Sequence, residues 1–322
     1  FLTAKAYLGL GNINQACKIY QQNLAEGDGL QHFYAYGKLL LQQNKAKAAD
    51  SIFSYLHQKN PKNTEYLYRL ALAKQKLKSK DFKPTLYEAY NLKPNHVRVA
   101  YELAKEELRQ KKYDVANRIA TQTLRKNPEN TGLLSIRGQA LFALKKWQEC
   151  INTFNLLKEK SETPLFVEIR LAKAYVNLRK YPEALQQYEV CLTKDPTDYE
   201  LFENAAEIAT LCGETQKALT YISQAFALKD VGRSRQYYIF GTVFLQKEDF
   251  ERAIGFFKQC IEEDPTHEKA TYALANAKDR YYKDQQKILD AYQFYLDRFP
   301  DGKFVEQANY RVKDLKKDIF MS

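Results

Sequence analysis

The 322-residue sequence is poor in the residues that interrupt helices, with 12 Gly and 9 Pro. A β-rich chain of this length needs many more turn-formers, so helix is the default. No apolar run reaches the roughly 18 residues of a membrane-spanning helix. The five cysteines, Cys17, Cys150, Cys191, Cys212 and Cys260, are widely spaced and form no CxxC, which excludes a thioredoxin-like motif or a cysteine zinc site. They read as small core residues, and their odd number fits a reducing compartment. None of the four histidines lies at ligand spacing from a cysteine or carboxylate: His96 and His267 follow Pro94 and Pro265 in turns, and His32 and His57 fall on separate helices. No metal is expected. Gly9 and Gly11 lack the third glycine and preceding strand of a phosphate loop, and no GxSxG occurs. Glu262, Glu263 and Asp264 mark a solvated helix end. No catalytic constellation remains, so neither an enzyme nor a cofactor is expected. The single Met is Met321, and Phe1 already falls inside a helical pattern, so a removed upstream segment is expected.

What is plentiful is aromatic and basic. The chain has 24 Tyr and 18 Phe, rings suited to the gaps between short packed helices. Its net charge of +11 favours acidic partners, with a solvated basic surface as the plain reading. Prolines at 61, 94, 128, 196, 265 and 300 are separated by 33, 34, 68, 69 and 35 residues, all near one or two units of 34. A period of that size signals a repeat array. The block ending at Pro196 carries Leu171, Ala172, Tyr175, Tyr181, Ala184, Tyr188 and Cys191; the block ending at Pro265 carries Tyr237, Phe240, Gly241, Phe244, Phe250, Ala253, Phe257 and Cys260. Small residues let two helices of a hairpin approach, rings fill the gaps, and proline ends the second helix.

This pattern resembles the tetratricopeptide repeat over nearly the whole chain. The resemblance implies an all-α, right-handed α-solenoid of stacked antiparallel hairpins, over 1–28 (partial), 30–61, 64–94, 97–128, 131–162, 165–196, 199–230, 234–265 and 268–300. A capping helix is expected over 303–320. The 64–94 block departs from the pattern, because Pro84 follows Phe82 and the small alanine is displaced, so a differently bent hairpin is expected there. Arg137 stands where the repeat takes Leu. Residues 290–315 are similar to repeats of bacterial cell-envelope and lipoprotein families, which implies the envelope, with cytoplasm as the alternative.

In the tetratricopeptide fold, the second, fifth, ninth and twelfth or thirteenth positions of each unit line a concave groove. The fifth is Tyr34, Tyr68, Tyr101, Tyr238 and Tyr272, none of them needed by the core pattern. Neighbouring positions add Lys38, Arg98, Lys105, Arg109 and Lys173. Glu200, Glu203 and Glu207 share one helix face as an acidic patch. A protein or peptide of mixed charge, held in one direction, is the expected ligand. Packing of the tyrosines between helices is the competing reading. RNA stacking on the tyrosines is the alternative function and the less favoured one.

Overall fold

A computed structural model describes residues 2–10, 12–25, 29–229 and 232–321. Gly11, read above with Gly9 as too little for a phosphate loop, lies outside them, as do Phe1 and Asp230. Every regular element among the described residues is a helix. The chain divides into two compact units, Phe1–Glu162 and Thr163–Ser322.

In the first unit five pairs of consecutive helices pack as hairpins: α1 (Leu2–Gly9) with α2 (Ile13–Ala25), α3 (Leu30–Gln42) with α4 (Ala46–Lys59), α5 (Thr64–Lys76) with α6 (Phe82–Leu92), α7 (Val97–Arg109) with α8 (Tyr113–Leu124), and α9 (Thr131–Ala143) with α10 (Trp147–Lys160). The second unit has four more: α11 (Leu165–Asn177) with α12 (Tyr181–Lys194), α13 (Tyr199–Leu211) with α14 (Thr215–Leu228), α15 (Ser234–Gln246) with α16 (Phe250–Glu263), and α17 (Glu268–Tyr281) with α18 (Gln285–Arg298). It closes with α19 (Val305–Met321), which buries Ala308, Val312 and Leu315 against α18 and its neighbours and leaves Tyr310 and Phe320 exposed. In each hairpin the first helix is helix A and the second helix B.

The eighth residue of helix A sets how closely helix B approaches. A Cβ on Gly37 would lie 2.7 Å from Phe53, on Gly138 2.3 Å from Phe154 and on Gly241 2.6 Å from Phe257, so in these hairpins only glycine admits the ring. In α5/α6 and α7/α8 the same two places hold Ala71 with Ala89 and Ala104 with Ala120, all buried. The third hairpin keeps this packing while departing in its turn, which spans five residues, 77–81, where its neighbours have three, so the small residues of α6 are displaced along the sequence as expected. Pro84 falls in the first turn of α6, where its missing N–H costs nothing. Thr85 takes the small-residue place that Ala49, Ala116 and Ala184 hold elsewhere, and its hydroxyl donates to the Asp81 carbonyl at 2.8 Å. Arg137 stays half-buried and reaches Glu149 of helix B at 3.9 Å.

Turns repeat as strictly as helices. After helix A, Asn44, Lys78, Lys111, Lys145, Arg179 and Glu248 adopt φ between 53° and 61°, and Gly213 adopts 77°. The residue after each donates its N–H five residues back at 2.8 to 3.0 Å, closing the helix C-terminus. Before five of the A helices the cap is a side chain that accepts from the first turn, Asn63, His96, Asn130, Asp198 or His267, and Asp284 caps the B helix α18 in the same way.

Candidate binding face of the A helices

Residues four apart on a helix lie one above the other, so a tyrosine at position five and a base at position nine share a face. In the first unit the Lys38 ammonium lies 5.2 Å over the Tyr34 ring and the Lys105 ammonium 5.8 Å over Tyr101. Tyr68 has leucine four residues on, and takes its cations from Arg69 at 5.4 Å and from Arg98 of the next helix A at 5.6 Å. Each such contact contributes about 0.5–1 kcal/mol at an exposed site. The structure thus brings together Tyr34 with Lys38, Tyr68 with Arg98, and Tyr101 with Lys105. Arg109 is tied elsewhere, through two hydrogen bonds to Glu106 of 2.7 and 2.9 Å.

The rings were read as outside the core pattern, with packing between helices as the competing reading; each does pack against residues of the next repeat or, for Tyr272, against Phe304 ahead of α19. Tyr34 meets Tyr66 at 5.7 Å, Tyr68 meets His96 at 6.0 Å, Tyr238 meets His267 at 4.9 Å, and Tyr272 stacks on Phe304 at 4.5 Å. Tyr101 lies against α9 because position 132 is glycine, where a Cβ would approach the ring to 2.8 Å. Tyr68 is only 7% exposed, and the other four are half-buried. Burial raises the Tyr34, Tyr68, Tyr238 and Tyr272 hydroxyls above their ordinary pKa, so all four stay neutral donors at physiological pH.

Glu65, which the sequence did not single out, joins this face together. Its carboxylate accepts from the Tyr34 hydroxyl at 2.8 Å and from Arg69 Nε at 3.0 Å, and lies 3.4 Å from both Arg98 Nη2 and His96 Nε2. Burial pushes the Glu65 carboxyl up, but the Tyr34 hydrogen bond with Arg69 and Arg98 outweighs it and holds the group below its ordinary value.

In the second unit the expected acidic patch is largely neutralised. Glu203 is 2% exposed, with its carboxylate 3.1 Å from Arg235 Nη1 and from Gln236 Nε2 and 3.7 Å from Lys229 Nζ. Arg235 also reaches Glu207 at 2.9 Å. Burial would lower the Arg235 pKa, but the hydrogen bond and charge of Glu207, with Glu203, raise it. Glu200 and Glu207 remain exposed, and Lys173 is exposed on α11. Among the described residues no group of three or more His, Cys, Asp and Glu side chains could hold a metal ion, and no helix is long and apolar enough to cross a membrane.

Comparison with known proteins bears on the fold. The tetratricopeptide repeat family matches residues 101–159 in the first unit and 235–267 in the second. Among solved structures, YrrB, described as a TPR protein with an unusual peptide-binding site, is 16% identical with a TM-score of 0.54, covering 58% of this chain and 96% of its own. A tetratricopeptide repeat protein of Parabacteroides merdae is 17% identical with a TM-score of 0.47, over 77% of this chain and 98% of its own. Yeast Tom70 is 17% identical with a TM-score of 0.44, over 99% of this chain and 80% of its own. No curated protein matches the sequence.

Proposed function

Because the chain is a tetratricopeptide-repeat protein, we propose that it is a non-catalytic scaffold that holds a polypeptide partner against the face of its A helices. The observation that carries this reading is the recurring pair of ring and cation in the first unit: Tyr34 with Lys38, Tyr68 with Arg98, and Tyr101 with Lys105. The rings are fixed by packing, so a ligand meets them without further ordering, while the cations stand at the solvent edge. A peptide whose acidic side chains face Lys38, Arg98 and Lys105, with apolar groups over the ring edges, suits this lining. In the second unit Tyr238, Tyr272, Lys173 and Glu207 are the residues that would meet such a chain. Glu203 supports them by holding Arg235. The peptide-binding site described for YrrB belongs to that protein, and here it supports only the choice of ligand class.

The test is selection of peptides from a random display library on the whole protein, followed by affinity measurement with Lys38→Ala/Arg98→Ala/Lys105→Ala. These side chains are exposed, so folding should survive. A loss of about tenfold or more is expected, since three charged contacts are removed. Peptides held equally well by the variant would overturn the reading.

A further inference from the structure

The two units differ in charge far more than the chain's +11 discloses. Residues 1–162 carry 27 Lys and Arg against 14 Asp and Glu, whereas residues 163–322 carry 23 against 25. In the first unit the excess gathers at the turns from helix A to helix B. There stand Lys45, Lys78, Lys111, Lys112, Lys145 and Lys146, all exposed. The corresponding turns of the second unit read Arg179-Lys180, Gly213-Glu214, Glu248-Asp249 and Lys283-Asp284, three of the four carrying an acid.

Neighbouring turns of the first unit are joined. Lys76 Nζ donates to the Leu41 carbonyl at 3.1 Å and to Asn44 Oδ1 at 2.9 Å, tying the second hairpin's turn to the third. Lys83 Nζ donates to Gln110 Oε1 at 2.7 Å, tying the third to the fourth. Between those last two turns lies a cleft of about 570 Å³, whose lining includes Lys78, Lys80, Arg109 and the mostly buried Phe82. Among the described residues no hydrogen bond or ion pair engages the side chains of Lys78, Lys80, Lys111, Lys112, Lys145 or Lys146. Asp81, the Arg109-paired Glu106 and the buried Glu107, 2.7 Å from Lys83 Nζ, are the carboxylates near the cleft. Lys78, Lys111 and Lys145 hold the left-handed backbone position of their turns, Lys112 and Lys146 follow directly, and none of the five has a counter-charge paired with it among the described residues.

We propose that this lysine ridge on the first unit is a docking surface for an extended acidic segment of another protein. Packed helices lie about 10 Å apart, and an extended chain rises about 3.3 Å per residue. An acidic residue at about every third position therefore meets one turn after another. The unengaged cations are lysines, point charges that suit scattered carboxylates, while the one arginine of the cleft is already held bidentately by Glu106. None of these turns presents an exposed ring on which a base could stack, which favours acidic protein over nucleic acid.

The test uses the full chain and two probes of equal charge, poly-L-glutamate and single-stranded polyuridylate, titrated over a range of salt. The ridge variant is Lys78→Asn/Lys111→Asn/Lys145→Asn with Lys112→Gln/Lys146→Gln, asparagine being at ease in the left-handed region. A control removes the same number of charges elsewhere in the first unit: Lys47→Gln, Lys59→Gln, Lys62→Gln, Lys93→Gln and Lys126→Gln. Poly-L-glutamate should bind with an affinity that falls as salt rises. The ridge variant should lose about tenfold or more, and the control much less. Equal losses in both variants, an undiminished ridge variant, or tighter binding of polyuridylate would each overturn the proposal. None of the substituted lysines belongs to the A-helix face, so either site can fail without the other.

Discussion

Replacing Gly138 with alanine tests the packing rule at its tightest point. The added Cβ would meet Phe154 Cε1 at 2.3 Å, Cδ1 at 2.6 Å and Cζ at 2.7 Å, against an ordinary carbon–carbon contact of about 3.5–4.0 Å. The ring must retreat by about 1 Å, yet Phe154 is fully buried, with Cys150, Ile151 and Leu157 buried on the same helix. Overpacking of this kind costs about 1–3 kcal/mol, and a forced shift of a whole ring belongs at the upper end. Against it stands alanine's helix propensity, a gain of about 1 kcal/mol. The net expectation is a loss of about 2 kcal/mol. Gly255→Ala isolates the propensity term, because nothing lies within 4 Å of its Cβ, and should stabilise by about 0.5–1 kcal/mol. The double variant Gly138→Ala/Phe154→Ala restores the small pair found at Ala104 and Ala120, so its cost should fall short of the sum of the single losses by about 2 kcal/mol. The chain's one tryptophan, Trp147, begins helix α10 and contacts Phe142 at 5.3 Å, so its fluorescence during urea unfolding reports on this hairpin. If Gly138→Ala raised stability as Gly255→Ala does, the argument for glycine at position eight would fail.

Two further expectations follow from the turns. An L residue in the left-handed region costs about 1–2 kcal/mol, and glycine there gives back part of that relief through unfolded-state entropy. Lys145→Gly should therefore stabilise by about 0.5–1 kcal/mol in urea unfolding, and Gly213→Ala should destabilise. His96 and His267 cap helices by accepting N–H bonds at Nδ1, from Val99 at 3.4 Å and Ala270 at 3.1 Å. Burial, the largest cause, lowers both pKa values below 6.5, although Glu65 and Asp264 oppose it. The unfolded state then binds more protons, so stability falls as pH drops below 6.5 toward the lower folded values. His96→Asn/His267→Asn keeps a competent cap, as Asn63 and Asn130 do, and should flatten that part of the stability–pH curve; an unchanged slope would refute it.

The helices were legible because their constraints are written in residue size. Gly37, Gly138 and Gly241, the facing phenylalanines and the closing prolines are each demanded by one contact, and the contacts recur. Less was legible where several residue types satisfy one constraint. The left-handed turn position is Asn, Lys, Arg, Glu or Gly in successive hairpins, so only the backbone reveals it. Thr85 stands in for alanine because its hydroxyl finds the Asp81 carbonyl, which keeps a polar atom satisfied beside the core.

The binding face was half legible for a different reason. Glu200, Glu203 and Glu207 were read at helical spacing alone, which sees one helix at a time. In a stack of hairpins a helix A also meets the helix A one repeat away, and one set of polar contacts spans that distance. Arg235 closes Glu203 from 32 residues on, Arg98 meets Glu65 from 33, Arg311 meets Asp279 from 32, and Glu65 accepts from Tyr34 across 31. A carboxylate in an A helix of such an array should therefore be judged free only after the residues 31 to 33 positions away have been inspected along with the neighbouring B helices, from which Lys83 reaches Glu107 and Lys194 reaches Glu168. By that criterion Glu203 is part of the framework, whereas Lys38 and Lys105, whose partners 31 to 33 residues on are never acids, remain open to a ligand.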